Sequence, residues 1–140
     1  MIQRQQTLWL LLATVAGIFT FMFPFSTGEE LVKNSSLKQA KLIDAGSDFF
    51  LLILTIISIG VSTITIFLFK DRKLQMKLCL LGLVVSILIL VRYILETRKL
   101  VSSTPALWAI LPALIIISYF LAFRNIRKDE KLVKSLDKLR

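Results

Sequence analysis

Four long apolar runs separated by short polar stretches set the pattern of this chain. The first is Thr7 to Phe25, TLWLLLATVAGIFTFMFPF, with Pro24 and Gly28 marking its end. At a helical rise of 1.5 Å per residue it extends about 28 Å, close to the hydrocarbon thickness of a bilayer. The second, Phe49 to Phe69, carries no charge and is stopped by Lys70-Asp71-Arg72-Lys73. The third opens at Met76 and runs to about Leu95. The fourth starts at Pro105, a residue suited to the first helical position, behind Thr104 as N-cap, and ends at Phe123. Pro112 inside it removes one backbone hydrogen bond, so a kink is expected there. The pattern therefore predicts spans over 7–25, 49–69, 76–95 and 105–123 of a single membrane domain, 1–140, with a tail over 124–140. The fold class is all-α: an integral membrane four-helix bundle with a C-terminal amphipathic helix.

The connections are read by their turn and cap signals. Between the second and third spans the loop is so short that the two must be antiparallel neighbours. In the first loop, Thr27 and Glu30 fit a capping box and suggest a short helix around Glu29–Lys33. Asp44-Ala45-Gly46-Ser47-Asp48 reads as a turn whose end caps the second span. Asn34-Ser35-Ser36 matches the glycosylation pattern, a match of low specificity. Arg4 ahead of the first run and Ser26-Thr27-Gly28 behind it also fit a secretory signal peptide. The run is longer than a usual signal-peptide core, so an uncleaved span is the expectation.

Composition agrees with lipid as the solvent. Hydrophobic residues make up 56% of the 140 and charged residues 19%, and mean hydropathy is +0.76. A soluble chain this short has too little interior to hide that much apolar surface. The net charge of +9 would suggest nucleic-acid binding in a soluble protein. In a membrane protein it follows from Lys and Arg collecting on the cytoplasmic side, and no nucleic-acid partner is expected. Arg4, Lys70, Arg72, Lys73, Lys77 and seven tail residues from Arg124 to Arg140 lie on one side. Half as many, Lys33, Lys38, Lys41, Arg92, Arg98 and Lys99, lie on the other. Both termini are therefore expected in the cytoplasm. Arg92, near the outer end of its span, can snorkel and pair with Glu96.

Helices in lipid associate through close approach and interhelical hydrogen bonds, which favours small residues four apart. Each span offers such a pair: Ala13/Gly17, Ser58/Ser62, Gly82/Ser86 and Ala109/Ala113. Thr55, Ser58, Ser62 and Thr65 also form one hydroxyl-bearing stripe on the second span, read first as a packing face and second as a polar path. Ile66 is expected to face lipid. Trp9 and Tyr119 near one boundary, and Tyr93 and Trp108 near the other, read as interfacial anchors.

Candidate chemistry is sparse. There is no histidine and one cysteine, Cys79, set in an apolar run where a thiol is a small hydrophobe. No phosphate loop, HExxH, GxSxG or CxxC occurs, so no enzyme activity, cofactor or metal is expected.

Three segments taken in order, Met1-Ile2-Gln3-Arg4 leading into an apolar helix, FLFKDRKLQMKLC (Phe67–Cys79) and NIRKDEKLVKSLDKLR (Asn125–Arg140), resemble the domain-of-unknown-function family 4293. The resemblance implies a small four-span protein of the inner membrane of Bacteroidota and supplies no activity or site residue.

The functional expectation is a non-enzymatic accessory or scaffolding subunit that binds another inner-membrane protein. Its motivation is small-residue helix faces together with patterned charge. Lys70, Arg72, Lys73, Lys77, Arg124, Arg127 and Lys128 would face the cytoplasm, where anionic lipid attracts them. Leu132 and Leu136 lie on an apolar stripe of the tail suited to docking. The alternative is a small transporter or channel component using the hydroxyl stripe; a weaker one is an enzyme acting on lipid at the outer leaflet.

Overall fold

The computed structural model describes residues 2–34 and 36–140, with side chains from Gln5 onward. Ser35, the centre of the glycosylation match, lies outside the described residues. Four helices form: α1 (Ile2–Met22), α2 (Phe49–Phe67), α3 (Arg72–Arg98) and α4 (Ile110–Lys138). All four are long and apolar enough to cross a membrane, which makes this a multi-pass membrane protein. α1 packs on α2 and α4, and α3 packs on α2 and α4. Along α1 and α2 the contacts run in opposite order, Gly17 against Ile59 and Thr14 against Ser62, so these neighbours run antiparallel. Both chain ends and the α2–α3 turn therefore share one end of the bundle.

The opposite end departs from the all-α expectation. β1 (Ser26–Leu31), β2 (Lys38–Ile43) and β3 (Ser102–Pro105) form an antiparallel sheet in the order β2-β1-β3. The short helix expected at Glu29–Lys33 is instead the end of β1 and the start of the hairpin turn. Asn34 sits in that turn at φ 76°, a left-handed conformation that asparagine tolerates better than most residues. Ion pairs stitch the hairpin diagonally, Lys38–Glu29 at 3.3 Å and Lys41–Glu30 at 2.7 Å. Gly28 is required by the third strand: a Cβ there would meet the Ser102 carbonyl oxygen and the Leu100 side chain.

Helix ends differ from expectation for local reasons. Pro24 stops α1 at Met22, and the freed Thr20 carbonyl accepts from Ala45 N–H at 3.0 Å. Asp71, expected only to help stop the second span, caps α3 by accepting from Leu74 N–H at 3.2 Å. Thr104 and Pro105 belong to β3 rather than capping the fourth span. A 3-10 turn, Leu107–Ala109, leads into α4 at Ile110. Pro112 thus falls in the first turn of α4, where its missing N–H has no intrahelical partner to lose and no kink is called for. At its far end α4 continues through the tail to Lys138, a rod of 29 residues and about 43 Å.

The bundle is apolar outside, and inside it mixes small and hydroxyl-bearing residues with larger apolar ones. Leu8, Ile56, Leu80, Val84 and Phe120 are exposed, whereas Ala13, Ala16, Thr55, Ser62, Ser86 and Ser118 are buried. Such an outer surface would aggregate in water and is matched to lipid. One core joins α1, α3 and α4 around Leu10, Cys79, Ile115 and Tyr119. A second, around Ile43, Leu51, Ile89, Tyr93 and Leu100, lies under the sheet.

Candidate functional site

The hydroxyl stripe of α2 lies inside the bundle. Thr55, Ser58, Ser62 and Thr65 are all buried. Their hydroxyls are occupied: Thr55 donates to Leu51 O (2.7 Å), Thr65 to Val61 O (2.6 Å) and Ser62 to Ile59 O (2.9 Å). Ser62 also meets Thr14 of α1 at 2.7 Å. Tyr119 donates to the Ser58 carbonyl at 2.6 Å, with the Ser58 hydroxyl 3.4 Å away. This face binds α1 and α4 to α2. Ile66, expected toward lipid, is half-buried against the core, and Ile64 is the exposed neighbour.

The other small pairs divide. Ala13 and Gly17 are buried on α1, where a Cβ on Gly17 would stand 2.8 Å from Ile59. Gly82 and Ser86 are buried on α3, and the Tyr119 ring lies directly on Gly82. Ala109 and Ala113 are only half-buried; the inward face of α4 is Leu111, Ile115, Ser118, Tyr119 and Ala122. The aromatic belt also needs correction. Tyr119 is fully enclosed at the centre, and Tyr93 is buried against Phe25 in a stack at 4.6 Å. Trp108 stacks on Phe23 at 4.0 Å, tying the start of α4 to the end of α1.

An ionic clasp sits where the sheet meets the bundle. Arg92 of α3 donates to Asp48, the residue preceding α2, at 2.5 Å and to Glu96 at 3.3 Å. Lys99 donates to Glu96 at 2.6 Å. The sequence pairs Arg92 with Glu96; the contact with Asp48, 44 residues away, needs the fold. The Arg92 hydrogen bond, with its positive charge, holds the Asp48 carboxyl below its ordinary pKa against the opposing effect of burial. On the hairpin, the hydrogen bond and charge of Lys41 do the same for Glu30.

At the other end the basic residues are not equivalent. Lys70, Lys73, Lys77, Arg124, Arg127 and Lys128 are exposed. Arg72 instead turns inward to Asp129 of α4, 3.8 Å away, so it joins α3 to α4 and is no free docking residue. Gln75, unremarked in the sequence, is buried and donates to the Thr65 carbonyl at 3.2 Å, satisfying an acceptor left open by the end of α2. Its signal is faint: one polar residue at the inward position of a helix whose neighbours are charged. Beyond Ile126, the last buried residue of α4, Leu132, Val133, Leu136 and Leu139 form an exposed apolar stripe. Glu130 and Lys134 pair beside it at 2.9 Å.

Comparison with curated proteins and with solved structures finds no match. The family model for the domain of unknown function DUF4293 matches residues 2–139, and the chain belongs to that family.

Proposed function

We propose that this protein is a non-enzymatic accessory or scaffolding subunit of a bacterial inner membrane, with both termini cytoplasmic, docking a larger membrane protein through the end of α4. One observation carries the reading: the helix continues past its last buried residue and presents Leu132, Val133, Leu136 and Leu139 to solvent. Charge alone suffices to orient a membrane protein, so an apolar stripe at helical spacing has another use. An isolated helix of this length is marginal in water and gains most from laying its apolar face on a partner. The transport alternative has less support, because the hydroxyls of α2 are bonded to their own helix or to its neighbours. Copurification of the tagged chain from its native membrane tests the proposal. Leu132→Ser with Leu136→Ser is expected to lose a stoichiometric partner while insertion and abundance stay unchanged. If truncation after Glu130, which spares the Arg72–Asp129 contact, leaves the partner bound, the docking role is wrong.

A further inference from the structure

A groove of about 830 Å³ lies between the N-terminal half of α1 and the charged part of α4, on the outer face of the bundle. Its apolar length is formed by Leu8, Trp9, Leu12 and Val15 of α1 and Leu121 of α4. Its polar end is formed by Gln5, Arg124, Asn125 and Lys128. From Gln5 to Val15 the wall runs about 15 Å, roughly the depth of one leaflet.

Two antiparallel helices independently place the headgroup boundary across this groove. On α4, Arg124 is the first charge after the apolar run; on α1, the run begins at Thr7, just after Gln5-Gln6. Arg124 and Lys128 are one turn apart on the same face. Among the described residues neither pairs with a carboxylate: Asp129 goes to Arg72 and Glu130 to Lys134. Among the described residues, no Asp or Glu lines the groove. A zwitterionic lipid would bring its own cation against these two, with nothing to receive it; a lipid with net negative charge would not.

We infer that this groove is a binding site for one anionic phospholipid. Its phosphate sits between Arg124 and Lys128, the Gln5 and Asn125 amides donate to headgroup oxygens, and an acyl chain lies on Trp9, Leu12 and Leu121. The site is separate from the docking stripe, which begins at Leu132, and stands or falls without it.

Trp9 provides the test. Trp108→Phe preserves the ring on Phe23 and leaves Trp9 as the sole indole. The full chain is reconstituted in phosphatidylcholine vesicles with rising fractions of brominated phosphatidylglycerol or brominated phosphatidylcholine. Brominated phosphatidylglycerol should quench Trp9 at fractions where the phosphatidylcholine form gives only random-contact quenching. Arg124→Gln and Lys128→Gln should each reduce that preference about fivefold, whereas Arg127→Gln, outside the groove, should leave it. Equal quenching by the two lipids overturns the inference, and needs no groove variant to fold. Protection from both lipids would assign the groove to a protein contact and also overturn it. Relief of quenching by excess soluble glycerol phosphate would mean an anion site without an acyl chain, and the lipid assignment would be wrong.

Discussion

Glycine at position 82 shows how a single missing carbon sets the distance between helices in a bundle without a hydrophobic drive to assemble. The Tyr119 ring rests on Gly82 of α3, and on its other side its hydroxyl is fixed to the Ser58 carbonyl of α2. A Cβ at position 82 would lie under 3 Å from three ring atoms, and the ring is fully buried and tethered by its hydroxyl. Gly82→Ala is therefore expected to destabilise the bundle by about 1–3 kcal/mol, the usual range for overpacking. Gly60 of α2 supplies the contrast, since a Cβ there meets nothing within 4 Å. Gly60→Ala should be neutral or stabilising by up to about 1 kcal/mol, because alanine loses less backbone entropy in a helix. Unfolding of both variants in mild detergent, compared with wild type, checks the pair. A Gly82→Ala variant as neutral or stabilised as Gly60→Ala would show that helix propensity, not the Tyr119 contact, governs the site.

At the scale of elements, the sheet and the ionic clasp close one end of the bundle together. Asp48 precedes α2, Arg92 and Glu96 lie on the last turns of α3, and Lys99 leads toward β3. Since the folded-state pKa of Asp48 is lowered, its contribution is fully present above the ordinary carboxylate range and is lost as pH falls through the folded value. The stability difference between wild type and Asp48→Asn should accordingly be largest near neutral pH and shrink below about pH 4. A difference that stays constant across this window would mean that Asp48 acts through backbone geometry alone. The four helices were legible because run length and lack of charge report depth in lipid directly. The sheet was not, because β3 lies more than 70 residues from its partner β1, and Ser-Thr-Gly-Glu-Glu-Leu carries no alternation of apolar and polar residues. A capping box and a strand start look alike in that stretch; the close approach at Gly28 decides between them, and it exists only once β3 is in place. The tyrosines were misplaced for a related reason. Depth along a helix is readable from distance to the charged ends, but facing is not, unless Ile115, Ser118, Tyr119 and Ala122 are read together as one inward stripe.

For the whole molecule, the antiparallel bundle links three locations that are far apart in sequence. The N-terminus of α1, the α2–α3 turn and the C-terminal end of α4 must share a side, and the sheet must lie on the other. Geometry leaves one binary choice, which side is the cytoplasm, and the two-to-one distribution of Lys and Arg favours the end with both termini. Thiol labelling separates the two questions. Cys79, the sole cysteine, is fully buried, so the wild-type chain serves as its own blank. Cysteines at Ser36 and Ser102, exposed on the sheet end, are expected to react with an impermeant reagent in intact spheroplasts. Lys73 and Ser135 are the exposed positions to use at the other end, in preference to Gln75, which is buried against α2. Cysteines there should react only after permeabilisation. A full reversal, with Lys73→Cys and Ser135→Cys labelled from outside, would invert the protein in its membrane while leaving the bundle intact. Labelling of Lys73→Cys and Ser135→Cys from opposite sides would contradict the bundle itself, because α3 and α4 begin and end at a shared face held by Arg72 and Asp129.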